Sequence, residues 1–263
     1  MLKVDYIKSK LVGMTFVEKI YYFHEIDSTN NFAKSLEHDN VLVLTDNQLQ
    51  GKGRMGREWE SEAESNLTFT VKKKFEVDPD ELQCVNFFTS YVLYDMLKQF
   101  IAEHTEHNSK PDIIIKWPND LLLGSKKVCG ILIENSLNKR EFTIGIGINV
   151  NQECFKSGIE GKATSLRNYL NQTVDLDNFL IKIISLFDKN LYLITEKQYD
   201  KLYYQWRSSC MMINHDIKFT EDGKNTIAGK IIDLKRDGSI LVLVEGKQRS
   251  YFSADITIDS FLD

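Results

Sequence analysis

The stretch Gly51-Lys52-Gly53-Arg54-Met55-Gly56-Arg57, followed by Glu58-Trp59, interleaves three glycines with three cations. Glycines let backbone N–H groups approach a ligand closely, and crowded cations repel one another unless an anion lies among them. The chemistry this suggests is a grip on phosphate. The stretch formally satisfies G-x-G-x-x-G, but a dinucleotide fingerprint needs a strand leading in and an apolar helix leading out. Asn47-Gln48-Leu49-Gln50 before it and Glu58-Trp59-Glu60-Ser61 after it supply neither. A P-loop fails too, because Arg57-Glu58 stands where Lys-Ser/Thr is required.

A second cluster is Lys116-Trp117-Pro118-Asn119-Asp120, which holds one of only three prolines in the chain. Proline fixes its own φ and restricts the residue before it, so this segment is a rigid turn that aims its side chains. Lys127 lies seven residues beyond Asp120, on the return strand of an expected hairpin, where it can reach back toward the same place.

The elements that must position these residues follow from spacing. Tyr21–Ile26 reads as a strand that runs into Asp27-Ser28-Thr29-Asn30, four good N-cap residues, before Phe32, Ala33 and Leu36 at helical spacing. Residues 1–20 read as a lead-in, Val41–Leu44 as a strand and 46–64 as a long loop, with Leu67–Val71 alternating like a half-buried strand. Asp78-Pro79-Asp80-Glu81 is a helix start, and Leu82 to Phe100 carry a long amphipathic pattern. Strands are expected at 113–115, 121–123, 128–133 and 142–150, with Gly124-Ser125 as a hairpin turn, and helices at 177–193 and 199–206. Beyond Cys210, short strands at 217–219, 227–234, 239–244 and 248–253 are punctuated by Asp222-Gly223, Asp237-Gly238 and Glu245-Gly246. The expected organisation is a larger domain over 1–210 and a small antiparallel barrel of SH3-like size over 211–263.

Bulk properties narrow the class. A chain of 263 residues can bury a large core, and a net charge of −5 gives it no overall field for nucleic acid, so any phosphate site must be local. Cys84, Cys129, Cys154 and Cys210 are widely spaced with no C-x-x-C pair, which fits free thiols in a reducing compartment rather than a zinc site or disulfide framework. The five histidines show no metal-ligand spacing except His104-x-x-His107, read as a surface pair, so no protein metal site is expected. No signal peptide or membrane-spanning run is visible, and the expected location is cytoplasmic.

Asp27-Ser28-Thr29-Asn30, Gly51–Trp59, Lys116–Asp120, Lys126-Lys127-Val128-Cys129-Gly130-Ile131-Leu132 and Gly145-Ile146-Gly147-Ile148-Asn149-Val150-Asn151 together resemble the biotin–protein ligases in order and spacing. The resemblance covers roughly residues 21–170, and the small β unit after about 211 is similar to the family's C-terminal domain. Lys52 stands where the family usually has Arg, which keeps the charge but not the bidentate fork.

The resemblance implies an α+β fold, with a mixed, largely antiparallel sheet flanked by helices in a class II synthetase-like catalytic domain, plus the SH3-like barrel. It implies an ATP-dependent ligase that makes biotinyl-5′-AMP and passes biotin to one lysine of a biotin carboxyl carrier domain of a biotin-dependent carboxylase. Fixed cations would stabilise the charge that develops as a carboxylate attacks the α-phosphate, and no protein nucleophile is needed. By motif position, Ser28, Thr29, Asn30, Gln48, Gly51, Gly53, Arg54, Trp59, Lys127 and Gly130 are the implied biotin contacts. Lys52, Arg54, Arg57, Trp59, Asn119, Lys127 and Asn149 are the implied ATP or adenylate contacts. Lys127, Arg54, Arg57 and Asp120 are the implied catalytic group, with Lys127 foremost. Magnesium would arrive with ATP, and the flap at 51–59 would order over its ligand. The resemblance also allows a weak homodimer.

Three other readings stand beside this one. A lipoate–protein or octanoyl-transfer enzyme shares the catalytic fold, but the basic loop and the Lys-Trp-Pro-Asn-Asp turn are biotin-type features. A DNA-binding repressor needs on the order of 50 residues with their own core; about 20 precede the first catalytic strand, so no DNA binding is expected. A non-enzymatic biotin-binding module would leave the cation cluster without a purpose.

Overall fold

A computed structural model describes residues 1–105, 112–136, 140–220, 226–252 and 255–258. The chain begins with helix α1 (Val4–Leu11), which buries Ile7 and Leu11 where the sequence reading has only a lead-in. Strand β1 (Lys19–Ile26), helix α2 (Thr29–Ser35) and strand β2 (Val41–Gln48) form a crossover that makes β1 and β2 parallel. Strand β3 (Leu67–Lys74) follows, then helix α3 (Cys84–His104) and strands β4 (Ile113–Lys116), β5 (Asp120–Leu123), β6 (Lys126–Ser136) and β7 (Glu141–Ile148). The seven strands make one mixed sheet in the order β1-β2-β3-β7-β6-β5-β4, antiparallel except at β1–β2. Gly124 and Ser125 both take positive φ in the β5–β6 hairpin, as its turn demands.

Helices α4 (Leu166–Leu170), α5 (Leu176–Asn190), α6 (Tyr192–Thr195) and α7 (Tyr199–Cys210) complete the main body. Helix α3 buries Val85, Phe88, Val92, Met96 and Ile101 but also Phe87, Thr89, Ser90, Leu93 and Leu97, so apolar cover surrounds it beyond the single stripe its spacing suggests. Its start lies at Cys84 rather than at Asp78, because residues 79–81 form a separate 3-10 turn.

The sheet has two differently dressed faces. Leu42, Leu44, Leu67, Phe69, Val71, Ile144 and Ile146 join the large core with α3 and α5. Val41 and Val43 instead pack with Ala33 of α2 and the partly buried Tyr21, Phe23 and Phe32. Strand β3 therefore buries both faces, with Thr68, Thr70 and Lys72 as well as the apolar residues covered, unlike the half-buried strand its alternation predicts. On the α2 side, β7 presents Gly145 and Gly147 and β6 presents Gly130, which leaves room above the sheet.

Past Met211, strands β8 (Asp216–Thr220), β9 (Thr226–Leu234), β10 (Ile240–Val244), β11 (Lys247–Tyr251) and β12 (Asp255–Ile258) form a five-stranded antiparallel sheet in the order β11-β10-β9-β8-β12. Strand β12 has no counterpart in the sequence reading, and the Asp222-Gly223 turn, Ser253 and His107 lie outside the described residues. The small sheet is stitched to the main body. Trp117 Nε1 donates to Gly238 O at 2.8 Å, Tyr203 Oη donates to Leu234 O at 2.7 Å, and Arg207 pairs with Asp233 at 2.7 Å.

Candidate active site

A cleft of about 980 Å3, including its open mouth, lies on the α2 side of the large sheet. Ser28, Thr29, Asn30 and Gln48 line one end, Lys52, Gly53, Arg54, Arg57 and Trp59 its lid, and Asn119, Asp120, Lys127 and Gly130 its wall. Of the residues singled out by sequence, Gly51 and Asn149 are the two that do not line it.

The polar end is built by the start of α2. Ser28 is the N-cap, its Oγ accepting from Asn31 N at 3.4 Å. Gln48, the last residue of β2, accepts at Oε1 from Thr29 N at 2.9 Å and lies 3.0 Å from Thr29 Oγ1. Thr70 Oγ1 on β3 sits 2.8 Å from Thr29 Oγ1 and 2.6 Å from Asn30 Oδ1. Asn30 Nδ2 donates to Glu134 Oε2 on β6 at 3.1 Å, and Glu134 is in turn paired with Lys34. Burial opposes ionisation of Glu134, but hydrogen bonds from Lys34 and Asn30 and the nearby positive charge outweigh it and hold the carboxyl below its usual range.

The lid is a small hairpin with hydrogen bonds of its own, which its composition does not announce. Gly53 N donates to Arg57 O at 2.7 Å and Trp59 N to Gly51 O at 2.9 Å. Met55 has φ +56° and Gly56 +73°, so the basic tip turns within a few residues. A Cβ at Gly51 would meet Trp59 O at 2.4 Å, so Gly51 closes the hairpin rather than facing the cleft. Arg54 Nη1 donates to Asn119 Oδ1 at 3.2 Å, tying the lid to the Trp117–Pro118 turn, whose peptide is cis. Desolvation lowers the Arg54 pKa, with Asp120 opposing that effect.

Lys127 owes its place to a β-bulge. Leu121 pairs with Cys129 but Leu122 pairs with Lys127, so Val128 is an extra residue on β6. The bulge reverses the side-chain parity and brings Lys127 onto the same face as Gly130, where its Nζ would be 3.0 Å from a Cβ at position 130. Lys127 Nζ is 2.8 Å from Asp120 Oδ1 and lies 5.3 Å from the centre of the Trp59 ring. Behind the bulge, buried Asn149 donates from Nδ2 to Thr164 O at 3.1 Å, and its Oδ1 has no partner among the described residues.

Sequence reasoning missed Thr70, Glu134, Gly145 and Gly147 as contributors. Gly145 and Gly147 stood inside a quoted motif, and their alternation on a strand was the available signal. A Cβ at Gly145 would meet Asn30 Oδ1 at 2.3 Å, and one at Gly147 would meet Trp59 Cε2 at 2.2 Å. Thr70 and Glu134 carry no local signal, since only the sheet register brings them under Asn30.

Away from the cleft, His24, Asp46 and Glu64 form the one grouping of metal-ligand type among the described residues. Asp46 is already engaged by Tyr22 Oη, by Leu2 N at 3.1 Å and by His24 Nδ1 at 3.2 Å.

Fold and cleft together set a basic lid over a glycine-floored sheet, an arrangement suited to an anionic ligand. Residues 22–151 match the family described as Biotin/lipoate A/B protein ligase family, so the chain carries a domain of that family. It is 25% identical over 261 residues to the bifunctional ligase/repressor BirA of Bacillus spizizenii, covering 96% of this chain and 76% of that one. It is 31% identical over 163 residues to the biotin–[acetyl-CoA-carboxylase] ligase of Paracoccus denitrificans, covering 59% of this chain and 65% of that one. Among solved structures, the biotin protein ligase from Aquifex aeolicus in complex with biotin and ATP is similar with a TM-score of 0.73 and 27% identity, over 92% of this chain and 100% of that one. Among the described residues, no helix is long and apolar enough to cross a membrane.

Proposed function

We propose that this ligase activates biotin with ATP and transfers it to a lysine of a biotin carboxyl carrier domain. The observation that carries the reading is the cleft itself: a neutral hydrogen-bonding end, a lysine in the middle and an arginine-bearing lid line one continuous space. Ser28, Thr29 and Gln48 take the ureido ring, Gly130 lets the bicycle lie against the sheet, and Lys127 sits between the biotin carboxylate and the α-phosphate.

In the first half-reaction a carboxylate oxygen bonds to the α-phosphorus as the bond to the bridging oxygen breaks, releasing pyrophosphate. Lys52, Arg54 and Arg57 carry the phosphate charge, and Asp120 and Asn119 hold Lys127 and Arg54 in place. Trp59 packs beside the nucleotide. Asn149 has its amide committed to backbone carbonyls, so its free Oδ1 accepts from the adenine amino group. In the second half-reaction the acceptor ε-amine attacks the mixed anhydride, AMP leaves, and the amine loses a proton. Magnesium enters with ATP and no dedicated protein cage holds it.

The division of labour follows 1–210 for catalysis and 211–263 for the small β unit, in a reducing, cytoplasmic setting. DNA binding is not part of this function. Helix α1 is docked on α5, with Lys3 N donating to Asp177 at 2.9 Å and Tyr6 Oη to Asn178 at 2.8 Å, rather than presented as a recognition helix.

The test is to mix the protein with MgATP, labelled biotin and a carrier domain and to map the label. Label on a single carrier lysine supports the reading; label with lipoate but not biotin refutes it.

A further inference from the structure

The polar end of the cleft contains an imbalance that its lining residues do not reveal. Three oxygen–oxygen contacts run in a row: Asn30 Oδ1 to Thr70 Oγ1 at 2.6 Å, Thr70 Oγ1 to Thr29 Oγ1 at 2.8 Å, and Thr29 Oγ1 to Gln48 Oε1 at 3.0 Å. Each threonine hydroxyl has one proton, so two protons serve three contacts. The row would balance if Asn30 were turned over, with its Nδ2 donating to Thr70. Glu134 prevents this. Its carboxylate accepts from Asn30 Nδ2 at 3.1 Å and can only accept, so Asn30 must face Thr70 with its oxygen. At the other end Gln48 is fixed too, because Thr29 N donates to its Oε1 at 2.9 Å.

Thr70 must donate to Asn30 Oδ1, since an amide oxygen cannot donate. Thr29 must then donate to Thr70 or to Gln48. If Thr29 gave its proton to a ligand, both of its contacts near 3 Å would be bare oxygen–oxygen repulsions instead of one. Thr29 therefore offers the cleft a lone pair and not a proton. Ser28 differs: its Oγ accepts from Asn31 N, and its hydroxyl proton has no acceptor among the described residues.

The geometry points to Glu134, which does not line the cleft, as the positioning residue that keeps this row one proton short and so makes Thr29 select a ligand N–H. The inference rests on the biotin reading, in which that N–H belongs to the ureido ring. Glu134 is paired with Lys34 and accepts from Asn30 Nδ2, and the lowered pKa of its carboxyl keeps it an acceptor at neutral pH.

The test compares biotin with the two cyclic carbamates in which one or the other ureido N–H is replaced by a ring oxygen. Dissociation constants are measured by calorimetry on the full chain. The wild type is expected to reject the carbamate whose oxygen faces Thr29 by at least about tenfold, the worth of one hydrogen bond turned into a repulsion. Lys34→Met removes the ion pair but not the acceptor and should keep that ratio. Glu134→Gln lets Asn30 turn and should reduce it. The exchange Lys34→Glu with Glu134→Lys keeps an ion pair but puts a donor under Asn30, and should bring the ratio within about threefold. The KM for ATP should stay unchanged throughout, as a merely structural defect would not allow.

An unchanged ratio in both Glu134→Gln and the exchange overturns the inference, as does an equal loss in Lys34→Met. Failure of the wild type to bind biotin overturns the biotin reading and this inference with it. Wild-type biotin binding with unaltered discrimination in the variants overturns the inference alone.

Discussion

Trp59 lies so close to Gly147 that a Cβ at position 147 would stand 2.2 Å from its Cε2. Gly147 is the cross-strand partner of Gly130, where a Cβ would meet the same ring at 2.9 Å. The indole thus rests on a floor two glycines wide, with its Nε1 buried and without a partner among the described residues. The lid is seated through this ring, and the width of the floor sets how deep it sits.

Gly147→Ala tests that seating. The new methyl overlaps rigid indole atoms rather than the tip of a flexible chain, so Trp59 must lift and the lid with it. The expected result is a loss of about 1–3 kcal/mol in denaturant unfolding, as for other overpacked sites. Trp59 fluorescence should change, and adenylate formation should fall. Wild-type fluorescence and activity would show that the ring does not depend on the bare strand.

Lys127→Met should leave the fold intact, because the side chain is one-third exposed at 34% and packs on the lid rather than in the core. ATP–pyrophosphate exchange should fall by about 10²–10³, the usual worth of one preorganised group facing developing charge. Asp120→Asn should cost less, since Asp120 acts by holding Lys127 at 2.8 Å. Equal losses in the two variants would mean that Asp120 has a chemical role of its own.

The residues that announced the cleft did so because chemistry at one place needs particular types at fixed local spacing. Gly51–Trp59 and Lys116–Asp120 are each contiguous, and the structure brings both to one space. Strand and helix positions followed from periodicity where a single face was buried, as in α5, which buries Phe179, Leu180, Ile183, Ile184 and Phe187. Periodicity failed where both faces are covered: β3 hides Thr68, Thr70 and Lys72 behind α2, and α3 is buried well beyond one stripe. The β6 bulge was illegible because Lys126–Ile133 has no residue that marks it, yet it decides which way Lys127 points. Thr70 and Glu134 were equally silent, their importance arising from register across β3, β7 and β6 and from no neighbour in sequence.

Glu134 also predicts a pH dependence of stability. Its folded pKa lies below the ordinary 4.5, so the folded state binds this proton less readily than the unfolded state. The stabilising contribution is complete above that ordinary value and is lost as pH falls through the lower folded value. Glu134→Gln should therefore be less stable than the wild type at pH 7, with the difference shrinking as the solution is made strongly acidic. A difference that stays constant across that range would mean the carboxylate is not stabilised in the fold.

Thiol chemistry gives a simpler check on the core. Cys84, Cys129 and Cys210 are buried, and Cys154 is exposed. Burial pushes the Cys84 thiol up to about 12 and raises those of Cys129 and Cys210 as well, so none offers a thiolate near neutrality. A thiol reagent should label one cysteine, Cys154, in the native protein and all four after unfolding. Fast native labelling of Cys129 would mean that the β6 bulge opens.

Trp117 couples the small β sheet to the cleft, and Trp117→Phe measures that coupling. The indole is 1% exposed and donates from Nε1 to Gly238 O at 2.8 Å. Two residues on, Asn119 accepts from Arg54 and bonds back to Ile131 on β6, so a shift at Trp117 reaches the lid directly. Phenylalanine keeps most of the apolar contact but leaves the Gly238 carbonyl without its donor. The expected cost is about 1 kcal/mol of unfolding free energy, together with a raised KM for ATP through the loosened Arg54 contact. Biotin affinity should be unchanged, because Ser28, Thr29 and Gln48 stand on the other side of the cleft on α2 and β2. A change in biotin affinity without one in the ATP KM would place the coupling in the sheet rather than in the Trp117–Asn119 turn.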